Sequence, residues 1–383
     1  MARIVLKNIT KKFGQVTAVD NLNLVIEDGS FATLLGPSGC GKTTTLRMLA
    51  GLEDPTSGEI WIGDKCVFSS EKGHYVPPGK REMGLVFQSY ALWPHLNVFD
   101  NIAFGHKIAK RPAQEIKEKV FEIARVLQIH ELLDRYPSEL SGGQQQRVAI
   151  ARVLVMKPKV LLLDEPLSNL DSKLRMDMRA ELKRLHLETG STIVYVTHDQ
   201  LEALTMSSHV AVMDSGRLQQ WAPPMEIYNA PANVFTADFI GNPRINLVEG
   251  VLKAGSGEEL LIEAGELRLP FPKTSEAQRY LNQKVTLGLR AEDMLLSKEP
   301  QDGFFKGTVY SVLPAGSEWY VKVQLGEEVL TVTIYSDLDL RLDEPIWLGV
   351  QKNKIKCFNQ NGAAISPGVH FQKEAASASE GAI

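Results

Sequence analysis

Two stretches of this chain put phosphate and water chemistry within reach of each other. GPSGCGKT, Gly36 to Thr43, follows the strand-like run FATLL and opens the helical run TTLRMLAGL. That is a phosphate-binding loop in its strand, loop, helix context. Its glycines let the backbone wrap a pyrophosphate, and successive N–H groups at the helix start bind the oxygens. Lys42 reaches for the terminal phosphates, and Thr43 offers a hydroxyl to Mg²⁺. The candidate nucleotide-binding set is Gly36, Pro37, Ser38, Gly39, Cys40, Gly41, Lys42, Thr43 and Thr44. The second stretch, VLLLDEP (Val160 to Pro166), ends an apolar strand with two adjacent carboxylates, at the edge where open α/β sheets collect ligands. Asp164 there would hold Mg²⁺ through water, and Glu165 would polarise an attacking water. Taken alone, such a pair is as readily a solvated turn. Lys42 and Thr43 upstream tip the balance.

Three further features are weaker singly. LSGGQQQR, Leu140 to Arg147, precedes the apolar run VAIARVLV and reads as the capped start of a buried helix, whose exposed N–H groups suit an anion. Ser141, Gly142 and Gly143 do not by themselves say which anion. His198 closes the strand TIVYVT just before a helix start at Asp199, and Gln88 ends another strand. A lone histidine there is more often a core or cap residue, and a lone glutamine a surface one.

The elements that must position these groups are legible as an alternation. FATLLG, MGLVFQ, VLLLD and TIVYVTH are strand-like and separated by helical stretches, which predicts an α/β domain around a mostly parallel, buried sheet. Strand signals vanish between Gln88 and Val160, where QEIKEKVFEIARVLQ carries helical periodicity, so a helical subdomain is expected over about residues 89–159. A hairpin turn at Asp214 to Gly216 and a Pro223-Pro224 break follow, and the first domain is expected to end near Gly241. From Leu247 the texture changes to short β-type runs (KVTLGLR, FKGTVYSV, EWYVKVQL, VLTVTIY, IWLGVQ), the pattern of a small all-β barrel or sandwich over 242–360. The segment 361–383, small and polar, reads as a disordered tail.

Composition bounds the rest. With 383 residues, 44% hydrophobic and 23% charged, the chain has room for two ordinary globular domains. A net charge of -4 gives no reason to seek nucleic acid or an anionic membrane surface. Three scattered cysteines argue against a disulfide framework and for a reducing compartment. The amino terminus shows no signal peptide, and no segment has the roughly 18 apolar residues of a membrane span. If the protein works at a membrane, other chains must cross it.

Taken in order, Gly36 to Thr43, Gln88, LSGGQ, LLLDEP, SNLD (Ser168 to Asp171) and His198 resemble the ATP-binding cassette ATPases over about residues 4–241. The resemblance implies a P-loop fold and a head-to-tail homodimer that binds ATP between the Lys42 loop of one copy and Ser141, Gly142, Gly143 and Gln144 of the other. It implies that Phe13 stacks on adenine, Gln88 touches Mg²⁺ and the attacking water, His198 contacts the γ-phosphate and Glu165 is the general base. Many members carry tyrosine where Phe13 stands; the change keeps the stacking face. Cys40, inside the loop, predicts inactivation by a thiol reagent and protection by MgATP.

The later segments GNPRINLVEG, GLRAEDM, AGSEWYVKVQLG and FNQNG resemble the carboxy-terminal OB-fold-like, TOBE-type barrel of importer ATPases of the maltose and oligosaccharide type. The family then implies two membrane-spanning permease subunits, an extracytoplasmic solute-binding protein, and a peripheral place on the cytoplasmic face of the membrane. YALWPHLNVFDNIAFG, Tyr90 to Gly105, would line the cleft that docks the permease, or equally be helix packing. A sugar is the favoured solute, with polyamine, glycerol phosphate and ferric-ion importers as near relatives. A soluble cassette ATPase of repair or translation would want a basic face or a second cassette, and a non-hydrolysing subunit would not need Glu165, Gln88 and His198.

Overall fold

The computed structural model describes residues 3–257, 259–336 and 338–365. They form two compact units divided between Asn229 and Ala230.

In the first unit, strands Phe31–Leu35, Val160–Asp164 and Thr192–Thr197 are buried at every residue, as expected of central strands covered on both faces. They belong to a six-stranded sheet in the order Arg217–Ala222, His209–Asp214, Phe31–Leu35, Thr192–Thr197, Val160–Asp164, Met83–Val86. All neighbours are parallel except the hairpin of the first two. Because successive side chains alternate between faces, each strand feeds two cores. Phe31, Leu161, Leu163, Ile193 and Tyr195 pack with Ile102, Val120, Ile123 and Val148 of the helices Val98–Ile108, Ala113–Val126 and Gly142–Leu154. Ala32, Leu34, Leu162, Val194 and Val196 pack on the other face with Leu46 and Leu49 of the helix Lys42–Ala50 and with a five-stranded antiparallel sheet that begins at Ile4–Phe13 and Val16–Ile26. Truncating Leu162, fully buried between them, to alanine costs on the order of 2–5 kcal/mol.

The register makes the functional edge. Leu35 lies opposite Thr197, Asp164 opposite Val196, and Val86 opposite Leu163. Residues just past these ends, namely Gly36, Gln88, Glu165 and His198, therefore leave the sheet side by side at its carboxyl edge.

The second unit has two five-stranded antiparallel sheets around one core that includes Leu252, Ile262, Phe271, Val309, Val323 and Leu348. Asn246 clips the sheets together: its amide donates to the carbonyls of Leu289 (3.1 Å) and Thr331 (2.8 Å), and its Oδ1 accepts from the Thr331 N–H at 2.7 Å. Two boundaries move from the expected positions. The helix Val234–Phe239 belongs to this unit rather than to the first, because Val234 donates to the carbonyl of Gly362 and Ala364 to that of Ala232. The same contacts make 361–365 part of the fold, with Ile365 buried beside Cys357, so the tail expected over 361–383 cannot begin at 361. The remainder of that stretch, 366–383, lies outside the described residues. Among the described residues, no helix is long and apolar enough to cross a membrane.

Candidate functional site

The loop after Phe31–Leu35 owes its shape to two constraints at Gly41. Its φ of 99° lies in the left-handed region, and a Cβ there would stand 2.4 Å from the carbonyl oxygen of Ala18. Gly41 caps the helix Lys42–Ala50 with no side-chain bond, so the first amides of that helix are left to a ligand. Lys42 folds beneath the loop, buried, its ammonium donating to the carbonyls of Gly36 (2.7 Å) and Pro37 (2.9 Å). Ser38 and Gly39 form the exposed crown, while Pro37, Thr43 and Thr44 are half-buried. Cys40 points inward at 2% exposure, and burial raises its thiol pKa despite Lys42 beside it. Burial and the raised pKa both slow the reaction with a thiol reagent expected of this cysteine, since reagent must wait for the loop to open.

Across the edge, the Thr43 hydroxyl donates to Asp164 Oδ1 at 2.9 Å. Burial raises the Asp164 pKa, and the Thr43 hydroxyl partly offsets the shift. Glu165 follows in the left-handed region, φ 46°, a strained place for a side chain of this size. Its N–H bonds the carbonyl of Val196 and its carbonyl accepts from the Ser168 hydroxyl at 3.0 Å, which over-determines the turn. The carboxylate oxygen Oε2 is met at 3.3 Å by the Gln88 amide and at 3.3 Å by His198 Nδ1. Three strand ends thus converge on one oxygen. His198 and Gln88 are open to solvent and Glu165 is largely covered.

The hydroxyl of Thr43, the carboxylate of Asp164 and the carbonyl of Gln88 are hard oxygen donors. No group of three or more His, Cys, Asp or Glu able to cage a metal occurs among the described residues. This set fits a Mg²⁺ that arrives on a polyphosphate and keeps several waters, rather than a resident ion.

The Ser141 turn is built from its own sequence. Ser141 caps the helix Gly142–Leu154, its hydroxyl accepting from the Gln144 N–H, while Gln144 Oε1 accepts from the Ser141 N–H at 2.9 Å. Gln145 reaches back to the carbonyl of Pro137, and Arg147 to those of Leu127 and Gln128, so the polar octet is mostly helix-start wiring. These bonds run within the helical layer rather than to the Lys42 loop. Ser141 and Gly142 face solvent. Phe13, 48% exposed, lies at the tip of the hairpin that touches the loop at Ala18, with the Lys11 ammonium 4.7 Å from its ring centre. Over Tyr90 to Gly105, Trp93 packs tilted against Phe104 at 4.0 Å between centroids and Arg152 covers Trp93, so part of that aromatic stretch packs internally.

Sequence reasoning missed a polar cluster behind His198 made by Arg175, Tyr195, Thr197 and Glu202. The D-x-x-E spacing from Asp199 signals a capping box, yet only the aspartate caps; the glutamate turns into the core.

Known proteins match both units of the chain. The ABC transporter family model matches residues 19–168, the MalK OB fold domain 241–294 and the TOBE domain 299–357. The trehalose/maltose import ATP-binding protein MalK of Thermococcus litoralis is 46% identical over 95% of this chain and 100% of its own. The maltose/maltodextrin import ATP-binding protein MalK of Escherichia coli strain K12 is 41% identical over 95% of this chain and 97% of its own. A dimeric ATP-binding cassette solved in a post-hydrolysis state with ADP and Pi is 32% identical and covers 58% of this chain and 98% of that one, with a TM-score of 0.53. From the phosphate loop through both β sheets, the chain belongs to the ATP-binding cassette transporter ATPases of the MalK type, and it is an ATPase.

Proposed function

We propose that this chain is the ATP-hydrolysing subunit of a sugar or oligosaccharide importer, working as a head-to-tail homodimer on the cytoplasmic face of the membrane. Two permease subunits and an extracytoplasmic solute-binding protein complete the assembly. The observation that carries this reading is the 46% identity to a trehalose/maltose import protein matched over its full length.

On this reading Phe13 stacks on adenine, the amides from Gly36 to Thr44 cradle the phosphates, and Lys42 exchanges its loop carbonyls for phosphate oxygens. Thr43, Asp164 and Gln88 would hold Mg²⁺, which neutralises phosphate charge when bound. Glu165, aimed by Gln88 and His198, takes the proton of a water whose oxygen attacks the γ-phosphorus as the bond to the ADP oxygen breaks. His198 also donates to the γ-phosphate. Ser141, Gly142, Gly143 and Gln144 bind the γ-phosphate held by the partner copy, so ATP favours the closed dimer and hydrolysis reopens it. The closed dimer draws the permeases outward-facing. The test is to co-purify the permeases, reconstitute them with the binding protein, and measure ATP turnover against candidate solutes. Stimulation by a maltose-type sugar supports the reading; stimulation by polyamine, glycerol phosphate or ferric ion alone would overturn the sugar assignment.

A further inference from the structure

Beneath the turn that carries His198 lies a buried carboxyl that the mechanism above does not use. Glu202 is 3% exposed. Its Oε2 accepts from the Thr197 hydroxyl at 2.6 Å and from the Tyr195 hydroxyl at 2.8 Å, and both donors are buried in the strand that ends just before His198. The Thr197 hydroxyl oxygen in turn accepts the Asp199 N–H at 2.9 Å. Asp199 Oδ1 caps the next helix through the N–H groups of Leu201 and Glu202. The residue between Thr197 and Asp199 is His198, so a bonded path runs under it from one side to the other. A further strut comes from Arg175, which meets Asp199 Oδ2 at 3.5 Å and donates to the Leu170 carbonyl at 3.0 Å, in the loop that leaves Glu165. A cavity of about 20 Å³ is lined jointly by Glu165, His198, Asp199, Thr197 and Glu202, so no packed apolar layer separates the buried carboxyl from the surface pair.

The arrangement is costly unless it does something. Burial disfavours the charged form and raises the Glu202 pKa, against two hydroxyl donors that favour the charge. A leucine would fill the same helix position with no carboxyl to desolvate, though the two hydroxyls would lose their acceptor. What leucine cannot do is fix the rotor of Thr197, and that hydroxyl is the group that holds the backbone N–H just past His198.

We propose that Glu202 is a positioning residue for hydrolysis: through Thr197 and Asp199 it sets the backbone turn that delivers His198 to Glu165. This rests on the reading of His198 and Glu165 given above. Three substitutions made in the full-length homodimer separate the possibilities. Glu202→Leu removes the acceptor and leaves two buried hydroxyls without one. It is expected to lower kcat by about ten- to a hundredfold, the loss that a misplacement on the order of 1 Å brings, while KM for ATP stays within about twofold. Glu202→Gln keeps an acceptor oxygen in place and should restore most of kcat. In a His198→Ala background, Glu202→Leu should cost little more, because the group it positions is gone. A Glu202→Leu enzyme at the parental kcat overturns the proposal, as does an equal loss with and without His198, which would mean that Glu202 acts on the fold at large. A His198→Ala enzyme at the parental rate would strike the underlying reading of the site and take this proposal with it. Loss of ATP binding in Glu202→Leu without recovery in Glu202→Gln likewise counts against positioning.

Discussion

Replacing Gly41 by alanine measures how far the phosphate loop depends on its backbone. Two penalties add at this position. Forcing an L residue to φ 99° costs about 1–3 kcal/mol. The new Cβ would also sit 2.4 Å from the Ala18 carbonyl oxygen, where ordinary contact begins at 3.4 Å, so the loop or the neighbouring strand must give by about 1 Å. The obstacle is backbone and cannot swing aside. Gly39 supplies the control: its φ of 81° carries comparable strain, but a Cβ there meets nothing within 4 Å. Gly39→Ala should therefore lose only the strain, whereas Gly41→Ala should lose the strain plus about 1–3 kcal/mol of overpacking. Because Gly41 caps the helix whose amides are proposed to hold phosphate, the same shift should weaken ATP binding about ten- to a hundredfold, the loss of one hydrogen bond to a charged group at roughly 1.5–3 kcal/mol. The assays are urea unfolding of the two variants and titration with a fluorescent ATP analogue. Equal unfolding midpoints for Gly39→Ala and Gly41→Ala would refute the steric argument, and parental nucleotide affinity in Gly41→Ala would refute the claim that this backbone shapes the site.

Glu165→Gln should lower ATP turnover about 10²–10⁴-fold while nucleotide binding persists, read by steady-state hydrolysis beside equilibrium binding. Thr43→Val removes the hydroxyl that bonds Asp164 at 2.9 Å; the Mg²⁺ concentration for half-maximal turnover should rise about tenfold, equivalent to roughly 1.4 kcal/mol, with metal-free nucleotide binding little changed. The raised pKa of Glu202 means the folded state holds its proton more tightly than the unfolded chain does. Its contribution is therefore full below the ordinary glutamate range and lost as pH rises through the raised folded value. Urea unfolding from acid to neutral pH should show the parent losing stability relative to Glu202→Gln across that window; parallel curves would count against it.

What the sequence disclosed, and what it hid, follows from distance along the chain. The phosphate loop is a local object: eight adjacent residues after a strand, each needed for φ, charge or a hydroxyl, so spacing alone named it. Continuous apolar runs marked the central strands, since burial on both faces leaves no polar alternation. Asp164 and Glu165 could be placed at the carboxyl edge from their strand alone, but that Gln88 and His198 join them depends on sheet order, which spacing does not show; only the family resemblance grouped the four. Glu202 and Arg175 were invisible because their roles are set by partners such as Tyr195 and Leu170 that no local pattern pairs with them. The packing of the helix Val234–Phe239 was hidden for the same reason: its anchor, Gly362, lies far along the chain. Cys40 was expected to react because it lies inside the phosphate loop, but position along the chain does not show that this loop turns its thiol inward toward Lys42.

The reciprocal wiring of Ser141 and Gln144 decides which donors remain on offer. The serine oxygen occupies the N–H of Gln144, and that of Gln145 returns to the Ser141 carbonyl, so the amides the cap does not use are those of Gly142 and Gly143. A turn locked in this way has met its ordering entropy during folding. In the proposed homodimer, two copies meeting over a nucleotide would then need to freeze little more than their own tumbling, and the strength of their handshake would be set by the anion between them rather than by any loop that must first find its shape.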